Sequence, residues 1–117
     1  AISYPLSVFY KVPHGIGGGI FILDVVNYNI RNGFDKYKRL SKDLNLKIKT
    51  SRFFLKQIKS IFSKLGVPKT LEKFSISKKD YVKICNRMLI MQNSFNQNPI
   101  KFSAKNDFPK ILNRYLK

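Results

Sequence analysis

Thr50-Ser51-Arg52-Phe53-Phe54-Leu55-Lys56-Gln57-Ile58-Lys59-Ser60-Ile61-Phe62-Ser63-Lys64-Leu65-Gly66-Val67-Pro68 is the stretch that decides the fold. Its apolar residues Phe54, Ile58, Ile61, Phe62 and Leu65 recur at i, i+4, i+7, i+8 and i+11, while Lys56, Lys59 and Lys64 point elsewhere. That spacing lays an apolar stripe along a helical period, so the segment is predicted to be an amphipathic helix. A Thr50 or Ser51 hydroxyl can cap its start by accepting from an orphan N–H of the first turn. Gly66 offers a left-handed stop, and Pro68 has no N–H with which to continue.

The same reasoning extends in both directions. Ser77-Lys78-Lys79-Asp80 resembles a capping box with Asp in place of Glu, and Tyr81, Ile84, Cys85, Met88 and Met91 form a second helical stripe, read as core packing. A last helix carries Phe108, Ile111, Leu112 and Tyr115 on one face, with Pro109 confined to its first turn if Asn106 or Asp107 is the cap. Asn93 to Pro99 (NSFNQNP) is a turn-rich connection. Asn32-Gly33 ends an earlier segment before a short amphipathic stretch of Phe34, Tyr37, Leu40 and Leu44. No period-2 strand pattern competes, and no internal repeat or low-complexity block is present. The expectation is an all-α, compact bundle of about five to six helices.

Composition sets the bounds. The 117 residues suit one domain, small for a complete dinucleotide enzyme. Hydrophobic residues at 44% and aromatics at 14% are too many for a disordered basic tail. Cys85 is the single cysteine, which excludes an intramolecular disulfide and a cysteine-based zinc site; it is read as a buried apolar thiol in a reducing cytoplasm. No apolar stretch approaches the roughly 20 residues of a membrane span. Ala1-Ile2-Ser3-Tyr4-Pro5 has no signal-peptide pattern and reads as a cut edge, although removal of a methionine before Ala1 would look the same.

The net charge of +17 invites a nucleic-acid reading, since clustered cations release counterions from phosphates. The distribution argues against a specific one. Of the 23 basic residues 18 are Lys, spread from Lys11 to Lys117 with no run longer than Lys78-Lys79 and no Arg-rich stripe. Solvated helix faces and an AT-rich codon bias account for them.

Chemistry concentrates in Pro13-His14-Gly15-Ile16-Gly17-Gly18-Gly19, which holds the single histidine. Three readings compete. A phosphate-cradling loop needs a preceding strand and a following Lys-Ser/Thr, and neither is present. The glycines can instead form a helix face against which another backbone packs closely. Third, His14 can ligate a metal, although a metal needs several donors and a lone histidine is more often structural.

Ala1-Ile2-Ser3-Tyr4-Pro5-Leu6 followed by Phe9-Tyr10-Lys11-Val12-Pro13-His14-Gly15 resembles the second signature of the iron-containing (group III) alcohol dehydrogenases, which runs from a histidine ligand through small residues and Pro-Leu to Pro-His-Gly. The likeness continues through Ile16 to Asn29, similar to the apolar helix after Pro-His-Gly, and ends in Tyr28-Asn29. It resumes at Leu65-Gly66-Val67-Pro68-Lys69-Thr70-Leu71, Phe74-Ser75-Ile76-Ser77, Asn98-Pro99 and the closing helix.

The resemblance implies that residues 1–117 are the carboxy-terminal helical, metal-binding domain of a dehydroquinate-synthase-like fold. His14 then stands as the last metal ligand, and Tyr4 lines the substrate pocket or packs as an ordinary aromatic. The family's aspartate ligand, its first histidine ligand and its nicotinamide-binding domain belong before Ala1.

The implied function is NAD(P)-linked alcohol dehydrogenation or aldehyde reduction with Fe2+, Zn2+ or another divalent cation. NAD(P) is held mainly by the amino-terminal domain, and the chain alone is expected to be inactive. The implied partners are a small alcohol or aldehyde, that amino-terminal domain, and a second copy in a homo-oligomer; specific nucleic acid and membrane are not expected. The rival readings are a free-standing basic helical domain that binds nucleic acid or protein, and an inactive truncated dehydrogenase. Tyr4 stands where many family members carry a further histidine, Leu23-Asp24 where a Leu-Pro-type bend is frequent, and Gly17-Gly18-Gly19 where Ala, Asn or Cys are usual.

Overall fold

The computed structural model describes residues 2–117; Ala1, with which the resemblance begins, lies outside the described residues. Among the described residues there is no strand. Eight α-helical segments follow one another: α1 (Ser3–Tyr10), α2 (His14–Gly19), α3 (Ile22–Arg31), α4 (Tyr37–Asp43), α5 (Ser51–Lys64), α6 (Tyr81–Leu89), α7 (Gln92–Phe95) and α8 (Phe108–Leu112). Short 3-10 turns occupy Glu72–Phe74 and Lys78–Asp80. The all-helical class is as expected, but the pieces are shorter and more numerous than five or six. The apolar run Ile16 to Asn29 divides at Ile20 and Phe21, both fully buried, and the Asn93–Pro99 connection holds most of α7. No described helix is long and apolar enough to cross a membrane.

The chain forms two compact units, one of Ile22–Val67 and the other of the chain up to Phe21 together with Pro68–Lys117. In the first, α5 is the organising element. Thr50 is its N-cap in extended backbone, and the Thr50 hydroxyl accepts from the Phe53 N–H at 3.1 Å. At the other end Gly66 takes φ +66°, so that its N–H donates to Ser63 O at 3.2 Å and that of Val67 to Phe62 O at 3.0 Å. This pair of bonds satisfies two of the last helical carbonyls and stops the helix before Pro68.

α5 packs on α3 and α4, but of its expected stripe Ile61 and Leu65 are exposed, while Phe54, Ile58 and Phe62 are half-buried. Phe54 stacks on Tyr37 with ring centroids 5.8 Å apart, and Phe34 meets Tyr37 edge to face at 4.9 Å. The buried polar groups have partners, as burial requires. Asn29 donates its amide to the Tyr37 hydroxyl at 2.9 Å, Ser41 donates to Thr50 O at 2.8 Å, and Ser51 donates to Asp35 O at 2.9 Å. Lys38, 2.6 Å from the Asp35 carboxylate, holds that carboxyl below its ordinary range.

The expected stripe Phe34, Tyr37, Leu40, Leu44 is only half right. Leu40 and Leu44 are exposed, and α4 buries Ser41 instead. The packed face is therefore Tyr37 and Ser41, one turn apart, because the Ser41 hydroxyl satisfies a carbonyl at the entry to α5.

The second unit is closed by aromatic contacts. Phe21 meets Phe108 at 6.1 Å and Tyr115 at 4.8 Å, and Phe95 meets Phe102 at 5.3 Å. Around them Leu6, Leu71, Ile84, Met88 and Leu112 are fully buried. The Ser77–Asp80 box forms as expected, with the Asp80 carboxylate accepting from the Ser77 N–H at 3.0 Å. Asp107 is the N-cap residue of α8 and Pro109 lies in its first turn, but the Asp107 carboxylate turns back to accept from the Ser103 N–H at 2.9 Å. Gln92 pins the connection to the closing helix, accepting from the Ala104 N–H at 2.7 Å and donating to Phe102 O at 3.0 Å.

Candidate metal and substrate site

His14 is the first residue of α2, and its side chain is exposed. A tight reversal puts it there. α1 ends at Lys11 in the left-handed conformation, φ +54° and ψ +26°, and the Val12 N–H donates back to Leu6 O at 3.3 Å. Val12 is buried as an anchor, and Pro13, with φ −53° and ψ 133°, aims the chain into α2. The fixed φ of proline favours such an entry into a helix. The Pro13 carbonyl then accepts from the Gly17 N–H at 2.9 Å, closing the first turn of α2.

α2 packs directly on α1, and Gly17 is where they meet. A Cβ at Gly17 would come within 3.3 Å of Ser3 Cα, 3.4 Å of Ser3 Cβ and 3.5 Å of Ser3 O. At Gly15, Gly18 and Gly19 it would meet nothing within 4 Å. The expectation of a close-packed glycine face is thus met at one position of the four. All four glycines lie in the helix, so the phosphate-loop reading has no loop to rest on.

Tyr4 adjoins Ser3 in α1 and is 56% exposed. The helices that carry Tyr4 and His14 are therefore in contact through the residue beside the first and the residue one turn after the second. Among the described residues no group of three or more His, Cys, Asp or Glu could hold a metal ion. The single histidine, His14, is exposed.

α1 is also held to α6, where the Arg87 guanidinium lies over the Phe9 ring at 3.1 Å and the Lys83 ammonium over the Tyr10 ring at 5.8 Å. Neither pair left a mark in the sequence, since a cation and a ring more than 70 positions apart carry no local signature. The Tyr10 hydroxyl is shut off from solvent with no hydrogen-bond partner, as is the Ser7 hydroxyl one turn earlier. Burial raises the Tyr10 pKa, and the neighbouring Asp80 charge raises it further. Cys85 is only half-buried, where a buried thiol is expected from the sequence, and that burial pushes its thiol up.

Residues 1–116 match the model of the Fe-containing alcohol dehydrogenase family, C-terminal. The chain belongs to the iron-containing alcohol dehydrogenase family. An NADPH-dependent butanol dehydrogenase of Clostridium saccharobutylicum is 20% identical over 85 residues, a match that covers 69% of this chain and 22% of that enzyme. The chain thus spans a small part of the relative it matches. No solved structure matches it. As an iron-containing alcohol dehydrogenase domain, the chain places His14 within the matched segment and at the exposed start of a helix.

Proposed function

We propose that this domain supplies one metal ligand, His14, and part of the substrate pocket, through Tyr4, to a nicotinamide-linked alcohol dehydrogenase or aldehyde reductase. The observation that carries the reading is the placement of His14: an exposed imidazole on a helix seated against the helix of Tyr4, inside a family match that spans the chain. The described residues hold no group that could bind a cation alone, so on this reading His14 would be one contributed ligand, with the remaining donors and the nicotinamide site supplied by the rest of the full-length protein. A cation held there, Fe2+ in the family's name and Zn2+ by the same donor chemistry, supplies Lewis acidity toward the oxygen of an alcohol or carbonyl.

The residues of this chain hold and shape. Pro13 and the first turn of α2 fix the backbone from which the His14 ring extends. Tyr4 presents an aromatic body and a hydroxyl at an open surface, suited to line a pocket for a small alcohol and to donate to its oxygen. Iron, nicotinamide and a small alcohol or aldehyde are the proposed cofactors and substrate, with the remainder of the same protein as the chain's partner.

The test is turnover by the full-length protein, stripped of metal and reloaded with Fe2+ or Zn2+. Butanol and butanal with NADP(H) come first because of the relative's name, followed by NAD(H). The expected result is turnover that requires added metal, and none from the 117-residue chain alone. Equal turnover by stripped and loaded protein, or by the isolated chain, would overturn the proposal.

A further inference from the structure

We infer that the connection between α4 and α5 is a seat for an anionic lipid surface: an ordered loop that shows aliphatic side chains flanked by cations. The inference is independent of the metal and substrate roles proposed above. The loop, residues 42–49, is closed at its base, where the buried Ser41 hydroxyl donates to Thr50 O at 2.8 Å. Within it Asn45 takes the left-handed conformation at φ +47°, and the Leu46 N–H donates to Ser41 O at 2.9 Å. The Lys49 ammonium folds back to donate to the Asn45 amide oxygen at 2.9 Å. Surface loops closed in this way are compact and are frequently functional.

The surface around the loop is mixed. Leu40, Leu44 and Ile48, spaced four positions apart, are 41%, 62% and 48% exposed, although the sequence pattern would bury the first two. Arg39, Lys42, Lys47 and Lys49 stand exposed beside them. Asp43, the one carboxylate between residues 39 and 49, lies 3.7 Å from Arg39. Among the described residues neither Lys42 nor Lys47 has a carboxylate partner.

That combination selects the partner. A second copy of the chain would set like charge against like. A nucleic acid would take the cations but offers the aliphatic side chains nothing, because bases stack on aromatic rings. A bilayer with anionic headgroups uses both, since aliphatic side chains enter the edge of the acyl region while lysines meet the headgroups. A protein that lies on such a surface needs no spanning helix.

The experiment is co-sedimentation of the full-length protein with vesicles of phosphatidylcholine alone, or of equal parts phosphatidylcholine and phosphatidylserine. Wild type is expected to bind the mixed vesicles, to be released as salt rises, and to leave phosphatidylcholine unbound. Lys42→Gln/Lys47→Gln should weaken binding at least about tenfold, a lysine near an anionic surface contributing about fivefold. Leu44→Ser/Ile48→Ser should weaken it several-fold at unchanged charge. All four positions are exposed, so the melting temperatures should stay near that of wild type. Lys56→Gln/Lys59→Gln removes the same charge from exposed positions on α5 and should cost under about twofold.

Equal binding of wild type to the two vesicle types, as when the rest of the protein or an acidic protein covers the loop, would overturn the inference. Equal losses in the two lysine pairs, or unchanged binding by Leu44→Ser/Ile48→Ser, would also overturn it, by reducing the attraction to net charge.

Discussion

The Tyr115 hydroxyl donates to the Ile20 carbonyl at 2.9 Å, joining residues 95 positions apart. The Tyr115 ring packs edge to face on Phe21. Together these contacts clamp the exit of α2 to the closing segment of the chain. The helix that carries His14 is thereby held at both ends, by the Pro13 turn at its start and by Tyr115 beyond its last residue.

Tyr115→Phe keeps the ring contact and removes the donor. The expected cost is about 1 kcal/mol of stability, read as a lower urea midpoint at unchanged slope. An unchanged midpoint would mean that the Ile20 carbonyl finds an equivalent donor.

Tyr10→Phe is expected to act in the opposite direction. The hydroxyl is buried without a hydrogen-bond partner, so removing it should raise stability by up to about 1 kcal/mol. The pH dependence follows from the raised pKa. As pH climbs past the ordinary tyrosine value of about 10, the unfolded chain sheds this proton before the folded chain does. The contribution of the protonated form is intact below that value and is lost as pH rises through the folded pKa. Wild type should therefore lose more stability than Tyr10→Phe in alkaline urea titrations, and parallel curves would contradict this.

The ends of α5 give a third measurement. Thr50→Ala removes the hydroxyl that accepts from Phe53 and should cost about 1 kcal/mol. Gly66→Ala forces a Cβ into φ +66° and should cost at least about 1 kcal/mol. Thermal melts of the two variants should both fall below wild type.

Helix boundaries were legible where a side chain or a special φ marks them locally: Thr50, Gly66, the Ser77–Asp80 box and Pro109 all act where the sequence predicts. Faces were less legible. In α4 a serine displaces two leucines from the packed side, because satisfying the Thr50 carbonyl is a tertiary need that apolar periodicity does not report. The break at Ile20-Phe21 escaped for a similar reason, since both residues suit a continuous apolar helix, and the packing of Phe21 on Phe108 and Tyr115 is a tertiary contact that periodicity does not report. At the site, the sequence pointed to His14 and Tyr4 through family likeness. That α1 and α2 meet at Ser3 and Gly17, and that Gly17 differs from its neighbouring glycines, needed the packing of the two helices.

Tyr4 separates a pocket role from a packing role. At 56% exposure, Tyr4→Ala should change stability by less than about 0.5 kcal/mol, as surface substitutions usually do. If Tyr4 lines the pocket, the same variant in the full-length protein should raise KM for the alcohol several-fold, and Tyr4→Phe should recover part of that loss. An unchanged KM in Tyr4→Ala would remove Tyr4 from the site.

The ligand role of His14 is tested most directly by the metal content of the full-length protein, wild type against His14→Ala, measured by elemental analysis after loading with Fe2+ or Zn2+ and removal of free ion. The imidazole is exposed, so the substitution should leave the melting temperature of the metal-free protein near that of wild type. The expected result is bound metal in wild type and its loss, together with turnover, in His14→Ala. Full metal content and wild-type turnover in His14→Ala would contradict the assignment of His14 as a ligand.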